Sequence, residues 1–202
     1  MALLFDLDGT LIDSEAAHKS AEAETFRSLG FNFSEADLFR FTGVPYAAML
    51  KQIAPALGLQ TFLDAHRERL LGLVGTKIVP FYDVDECLAK LGSTSSMIVT
   101  SSPRWYVEAV LKAFPAFVNA FPTYVCADDV SSGKPDPEPY LVAMSRLGVD
   151  ASTCVAVEDS PNGIASAKSA GCYTVGIRRD DRLDLAKADT VIVSLAQLSK
   201  VA

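Results

Sequence analysis

Several absences narrow the field before any motif is read. No apolar stretch approaches the roughly 20 residues a membrane-spanning helix needs, and no membrane partner is expected. The apolar run Leu3-Leu4-Phe5 is followed at once by Asp6 and Asp8. It is too short for the core of a signal peptide, so the expectation is a cytoplasmic protein. Cysteine is sparse: Cys87, Cys126, Cys154 and Cys172 are scattered without metal-type spacing, and two of them sit inside apolar strand-like runs. Buried thiols are expected, not a zinc site or a redox pair. Positive charge is also short, with 18 basic against 25 acidic residues, a net charge of −7 and no Lys/Arg run. A phosphate-backbone footprint is therefore missing, and no nucleic-acid partner is expected. An anionic substrate has to be held by a few local cations or by a metal. Internal repeats and low-complexity segments are absent as well.

What is present is apolar material in short, regularly spaced runs. Half of the 202 residues are hydrophobic, enough to bury a full core. Ala2 to Phe5, Met97 to Val99, Tyr124 to Cys126, Cys154 to Val157, Tyr173 to Ile177 and Thr190 to Val193 each read as a buried strand. Between them, Ser102-Pro103 opens one helix, Asp136-Pro137 opens another that stops at Gly148, and Ser160-Pro161 opens a third that stops at Gly171. This alternation predicts an α/β fold, a parallel sheet covered on both faces. Between Asp13 and Pro80 the rhythm breaks, with helix signals and no convincing strand. Ala17, Ala21, Phe26 and Leu29 share one helical face ending at Gly30, Ser34 caps a short helix, Pro45 starts another, and Thr61 caps a fourth with Leu63, Leu70 and Leu71. The expected organisation is a core of residues 1–14 and 80–202 with a helical insert, 15–79.

In open α/β sheets ligands bind beyond the carboxyl ends of the strands. There the expected strands end in Asp6 and Asp8, in Thr100-Ser101-Ser102, in a segment running through Asp128-Asp129 to Lys134, and in Glu158-Asp159. Carboxylates gathered at one edge repel unless a cation sits among them, and hard oxygen ligands beside one lysine favour Mg²⁺. The expected ligands are Asp6, the backbone carbonyl of Asp8, and Asp159, with Glu158 acting directly or through water. A phosphate sharing that site needs donors, which Thr100, Lys134 and backbone N–H groups after Asp6 and around Ser101 supply. An ionised Asp6 suits a nucleophile that forms an aspartyl-phosphate. Asp8, with its carboxyl free, suits the proton donor to the departing alkoxide and then the base for water.

The segments FDLDGT, IVTSS, the lysine of GKPDPEPY, and VEDSPNGI resemble, in order, the four motifs of the haloacid dehalogenase-like hydrolases. The resemblance spans nearly the whole core. It implies a Rossmann-like sheet and makes Asp6 the nucleophile, Asp8 the acid/base, Thr100 and Lys134 the phosphate-orienting pair, and Glu158 with Asp159 the acidic metal pair. It also implies that the insert is a mobile helical cap. The DSPNGI ending is most similar to the branch of sugar-phosphate phosphatases and β-phosphoglucomutases. In the cap, His18 stands where a linker histidine of the mutases falls, though an ordinary exposed helix histidine fits as well. Arg40, Arg67 and Arg69 are candidate anion contacts or solvated faces, and Thr42-Gly43-Val44-Pro45 resembles a cap loop that faces the site.

Each piece alone has a plainer reading: Ser102 as a helix cap, GKPDPEP as a helix start, Glu158-Asp159 as a solvated turn. A calcium loop fails, because Gly9 at its sixth position puts Leu4 at its first. Signalling receiver domains gather similar groups, but a second aspartate beside the acceptor and a large insert are foreign to them. Asp8 also separates phosphoester chemistry from the dehalogenase branch, whose halide needs no proton. The reading is a monomeric Mg²⁺-dependent phosphatase of a small phosphoester, with a phosphomutase as runner-up. Aligned on Gly43-Val44, Tyr46 falls where the mutases carry an arginine for the far phosphate, and Arg40 is the candidate to replace it.

Overall fold

The computed structural model describes every residue except 42, 43, 45, 93, 201 and 202, and only the backbone of 199 and 200. The chain opens with β1 (Ala2–Phe5), turns, and passes through the two-residue strand β2 (Ile12–Asp13). Four helices follow, α1 (Glu15–Ser28), α2 (Glu35–Phe39), α3 (Tyr46–Ile53) and α4 (Leu59–Leu73), then the short β3 (Val79–Pro80). Alternation sets in beyond it: α5 (Val84–Leu91), β4 (Ser95–Val99), α6 (Arg104–Ala113), α7 (Pro115–Ala120), β5 (Tyr124–Val125), α8 (Glu138–Leu147), β6 (Cys154–Glu158), α9 (Pro161–Ser169), β7 (Tyr173–Ile177) and β8 (Thr190–Ile192).

Six of these strands form one parallel sheet in the order β5-β4-β1-β6-β7-β8. All four residues of β1 and all five of β6 are buried, which is why both read as continuous apolar runs with no alternation. From β1 the chain goes on to β4 on one side, and from β6 to β7 on the other. The boundary between β1 and β6 is therefore the topological switch point, where such sheets bind ligands. Register places Phe5 beside Val157, so the residues that follow these strands emerge as neighbours. Among the described residues, no helix is long and apolar enough to cross a membrane. All four cysteines are free and buried, and Cys154 and Cys172 pack in the main apolar core with Leu4, Met97 and Tyr140.

The chain divides into two compact units, Met1–Asp13 with Pro80–Ala202, and Ser14–Val79. Ser14 precedes α1 as its N-cap and its carbonyl accepts from the His18 amide, so it belongs with that helix. In the helical unit, Phe26, Phe62, Leu38 and Met49 form a core of their own, with the Phe26 ring 5.0 Å from Phe33 and 4.9 Å from Phe62. Ser34 caps α2 through a reciprocal box with Asp37. Thr61 does not cap α4, contrary to expectation. The helix starts three residues earlier behind Gly58, because Leu59, Gln60 and Thr61 continue the helical backbone without a side-chain cap. Pro45, expected to start α3, lies outside the described residues.

In the sheet unit the three proline-marked helices begin close to their signals, and Gly148 closes α8 in the left-handed conformation at φ 66°. Ser102 does not cap α6, where Pro103 takes the N-cap position, because its hydroxyl is used elsewhere. Asp83 accepts both terminal nitrogens of Arg179, at 3.0 and 2.7 Å, and the Leu195 amide at 2.8 Å. Burial works against this carboxylate, but the guanidinium and the amide outweigh it and lower its pKa. The pair ties the segment after the insert to the end of β7 and to the C-terminal turn.

Candidate active site

The end of β1 turns tightly. The Gly9 amide donates to the Ile12 carbonyl at 2.9 Å, and the Leu11 and Ile12 amides return to the Leu7 carbonyl at 2.9 and 3.0 Å. Gly9 sits at φ +80°, and a Cβ there would lie 2.1 Å from Asp159 Oδ2. The glycine of DLDG is therefore required both by the turn and by the carboxylate arriving from β6. Gly163, in the first turn of α9, stands in the same relation to Glu158, since its Cβ would lie 1.8 Å from Oε2.

Asp6, Glu158 and Asp159 present carboxylate oxygens within 4.8 Å of one another. The Asp6 amide is fixed by the Val157 carbonyl at 2.9 Å, which carries the strand register one step past β1. Lys134 reaches between them from the loop before α8, with its ammonium 2.7 Å from Asp6 Oδ1, 2.6 Å from Glu158 Oε1 and 2.7 Å from the Val99 carbonyl. The Tyr140 hydroxyl donates to the same Glu158 oxygen at 2.5 Å. Glu158 is wholly buried and Asp6 7% exposed, so little water screens these charges.

The electrostatics follow from this count of three acids to one ammonium. Burial, with the charges of Glu158 and Asp8, raises Asp6 to about 7 against the opposing pull of Lys134. Burial and the charges of Asp6 and Glu158 raise Asp159 well above the carboxylate range. Burial disfavours the Lys134 ammonium, yet the carboxylates of Asp6 and Glu158 outweigh it and hold the lysine protonated. Oxygen-only donors with excess negative charge fit a hard divalent cation such as Mg²⁺.

Asp8 stands apart from this cluster. Its Oδ2 accepts from the Ser102 hydroxyl at 2.6 Å and its Oδ1 from the Tyr106 hydroxyl at 2.9 Å. Thr100 is buried at the end of β4, and its Oγ1 accepts from the Ser102 amide at 3.0 Å, which leaves its own O–H to donate. Ser101 is exposed. His18 and Arg40 belong to the helical unit, where His18 is half-buried with its ring 6.4 Å from His66, and Arg40 is exposed over the Phe41 ring at 4.9 Å. Arg67 is exposed, and Arg69 donates to the Ala65 carbonyl of its own helix. Of the cap loop, Thr42, Gly43 and Pro45 lie outside the described residues. Tyr46 donates to Glu22 at 3.2 Å and lies 2.9 Å from His66 Nε2.

Four contributors went unseen in the sequence: Tyr106, Tyr140, Gly163 and the Ser102 hydroxyl as a partner of Asp8. Tyr106 had a faint signal, an aromatic hydroxyl in the first turn of the helix that follows the polar end of β4. Gly163 had one as well, a glycine in the first turn of a helix that alanine would favour.

Residues 3–177 match the family of haloacid dehalogenase-like hydrolases. The validoxylamine A 7'-phosphate phosphatase of Streptomyces hygroscopicus subsp. limoneus is 36% identical over 96% of this chain and 94% of its own length. The fructose-1-phosphate phosphatase YqaB of Escherichia coli is 29% identical over 87% of this chain and 95% of its own length. Among solved structures, CbbY from Rhodobacter sphaeroides in complex with phosphate superposes with a TM-score of 0.86 at 28% identity, covering 98% of this chain and 95% of that one. The matched span takes in every strand end that carries the acidic cluster, and the chain belongs to the haloacid dehalogenase-like hydrolases.

Proposed function

We propose that this hydrolase is a Mg²⁺-dependent phosphatase that cleaves a small phosphorylated metabolite, of the sugar-phosphate class, through an aspartyl-phosphate on Asp6. The observation that carries the reading is a division of labour among acids. Asp6, Glu158 and Asp159 converge around Lys134, while the Asp8 carboxylate is held aside on two hydroxyls. Relatives named as phosphatases, and a solved relative holding phosphate, support it.

Asp6, Asp159, the Asp8 carbonyl and Glu158, directly or through water, would hold the metal, which supplies charge neutralisation at the phosphoryl oxygens. The Lys134 ammonium and the Thr100 hydroxyl orient those oxygens. An Asp6 oxygen attacks phosphorus, the bond from phosphorus to the leaving oxygen breaks, and protonated Asp8 delivers its proton to that oxygen. Asp8, now a carboxylate, takes a proton from water. The hydroxide attacks phosphorus, the acyl-phosphate bond breaks, and inorganic phosphate leaves with Asp6 regenerated. Lys134, locked between Asp6 and Glu158, keeps the nucleophile pointed without becoming one.

Against a panel of phosphomonoesters, phosphate release is expected in Mg²⁺, with loss in EDTA and recovery on adding Mg²⁺ back. Calcium, with its looser and higher coordination, should inhibit. Full activity in EDTA, or no release from any sugar phosphate in a broad panel, would overturn the reading.

A further inference from the structure

We infer that Tyr106, together with Ser102, is a positioning residue for Asp8, and this rests on the phosphatase reading above. Tyr106 is 1% exposed, and its ring packs at the start of α6. Phenylalanine would fill such a place equally well. The phenol contributes a hydroxyl that donates to Asp8 Oδ1, while Ser102 holds Oδ2. A carboxylate gripped at both oxygens cannot rotate freely about its Cβ–Cγ bond. It is kept from joining Asp6, Glu158 and Asp159 as a fourth ligand and keeps one orientation for proton transfer.

The grip is itself braced. The Ala127 amide donates to the Ser102 carbonyl at 3.0 Å, the Arg104 amide to Asp128 at 2.7 Å, and the Arg104 guanidinium pairs with Asp129 at 2.5 Å. The start of α6 is thus pinned to the turn after β5, and both donors to Asp8 hang from that pinned segment. The Ser102 amide also binds Thr100 Oγ1, so one short stretch sets both the phosphate-facing hydroxyl and the proton carrier. Loss of one hydroxyl leaves the carboxyl held at a single oxygen. Its distance from the leaving oxygen is then no longer fixed, and the step that needs a proton suffers while substrate binding does not.

The test compares wild type, Asp8→Asn and Tyr106→Phe on two probes, glycerol 2-phosphate and p-nitrophenyl phosphate, following the first turnover as leaving-group release. The alkoxide needs a proton and the nitrophenolate does not. Asp8→Asn should lose about 10²–10⁴ on the alkyl ester and far less on the aryl ester. Tyr106→Phe should show the same asymmetry at about tenfold, carried by the maximal first-turnover rate with the half-saturating substrate concentration held within about twofold. Equal losses on both probes, or none, would overturn the inference. If Asp8→Asn itself shows no asymmetry, the proton role of Asp8 falls and the inference with it, a result distinct from failure of Tyr106→Phe alone. Should Tyr106→Phe not fold, Ser102→Ala removes the other donor and gives the same readout.

Discussion

In the helical unit, Lys19 donates to Glu22 at 3.0 Å, Tyr46 adds its hydroxyl to the same carboxylate, and His66 lies between Tyr46 and Thr25, at 2.9 and 3.5 Å. At the sheet edge, Asp6, Glu158 and Asp159 share Lys134. Both clusters are buried and both are polar, but only the first is balanced, with one cation, one anion and a neutral ring among hydroxyls. The second carries more negative charge than its lysine can offset, and two of its acids have pKa values pushed upward. A buried polar cluster satisfied by its own members serves the fold. One left in need of a cation is poised for a ligand.

The same chemical change should therefore have opposite consequences in the two places. Asp6→Asn removes the proposed nucleophile, and turnover should fall by at least about 10⁴-fold. In EDTA it should also raise the melting temperature, because one of three crowded carboxylates is gone. Glu22→Gln should lower the melting temperature, since Lys19 loses its counter-charge in a buried site. Melting curves of both variants in EDTA decide the matter. A drop for Asp6→Asn would mean that the edge cluster is as self-sufficient as the other.

Glycines give a second contrast. Gly72 lies in α4 with nothing within 4 Å of an added Cβ, whereas at Gly163 that carbon would lie 2.1 Å from Cδ of Glu158. Gly72→Ala should stabilise by about 0.5–1 kcal/mol through helix propensity alone. Gly163→Ala must displace Glu158 and with it Lys134, and displacements near 1 Å at a reacting centre cost about 10²-fold in rate. Phosphate release by Gly163→Ala within about twofold of wild type would show that Glu158 does not hold the lysine in place.

How much of this could be read in the chain depends on how local each cause is. All six strands of the sheet were legible because a strand buried on both faces must be a short apolar run, and β1 and β6 are fully buried. Helix α7 does open on Pro115, but behind Phe114 rather than a serine or aspartate, and α5 opens behind Asp83 with no proline; neither was read. Acids following two strands are visible in sequence, but their adjacency needs the order β1-β6, which only the assembled sheet supplies. Ser102 looked like a cap because serine before proline does so elsewhere, and nothing local shows that its hydroxyl turns back across 94 positions to Asp8. The Lys19–Glu22 pair has the spacing of a solvated helix face and is buried, since Tyr46 and His66 arrive from distant helices to cover it.

The balanced cluster has a weak point of its own. Burial, with His18 nearby, holds His66 down at about 3, with smaller contributions from Lys19 and Arg69; the Ala21 carbonyl acts the other way. Glu22 is the acid that shares Tyr46 with it. In the folded chain His66 therefore stays neutral, while in the unfolded chain it takes up a proton near its ordinary value of 6.5. The unfolded state binds more protons throughout that interval. Stability is thus full above pH about 6.5 and declines as the pH falls toward about 3, by up to about 1.4 kcal/mol per pH unit from this one group. His66→Gln cannot titrate. It should cost some stability at pH 7.5 through altered contacts to Tyr46 and Thr25, but its decline between pH 6.5 and 4.5 should be shallower than that of wild type. Urea unfolding of the two proteins at several pH values measures the difference in slope, and parallel slopes would show that His66 already carries its proton in the fold.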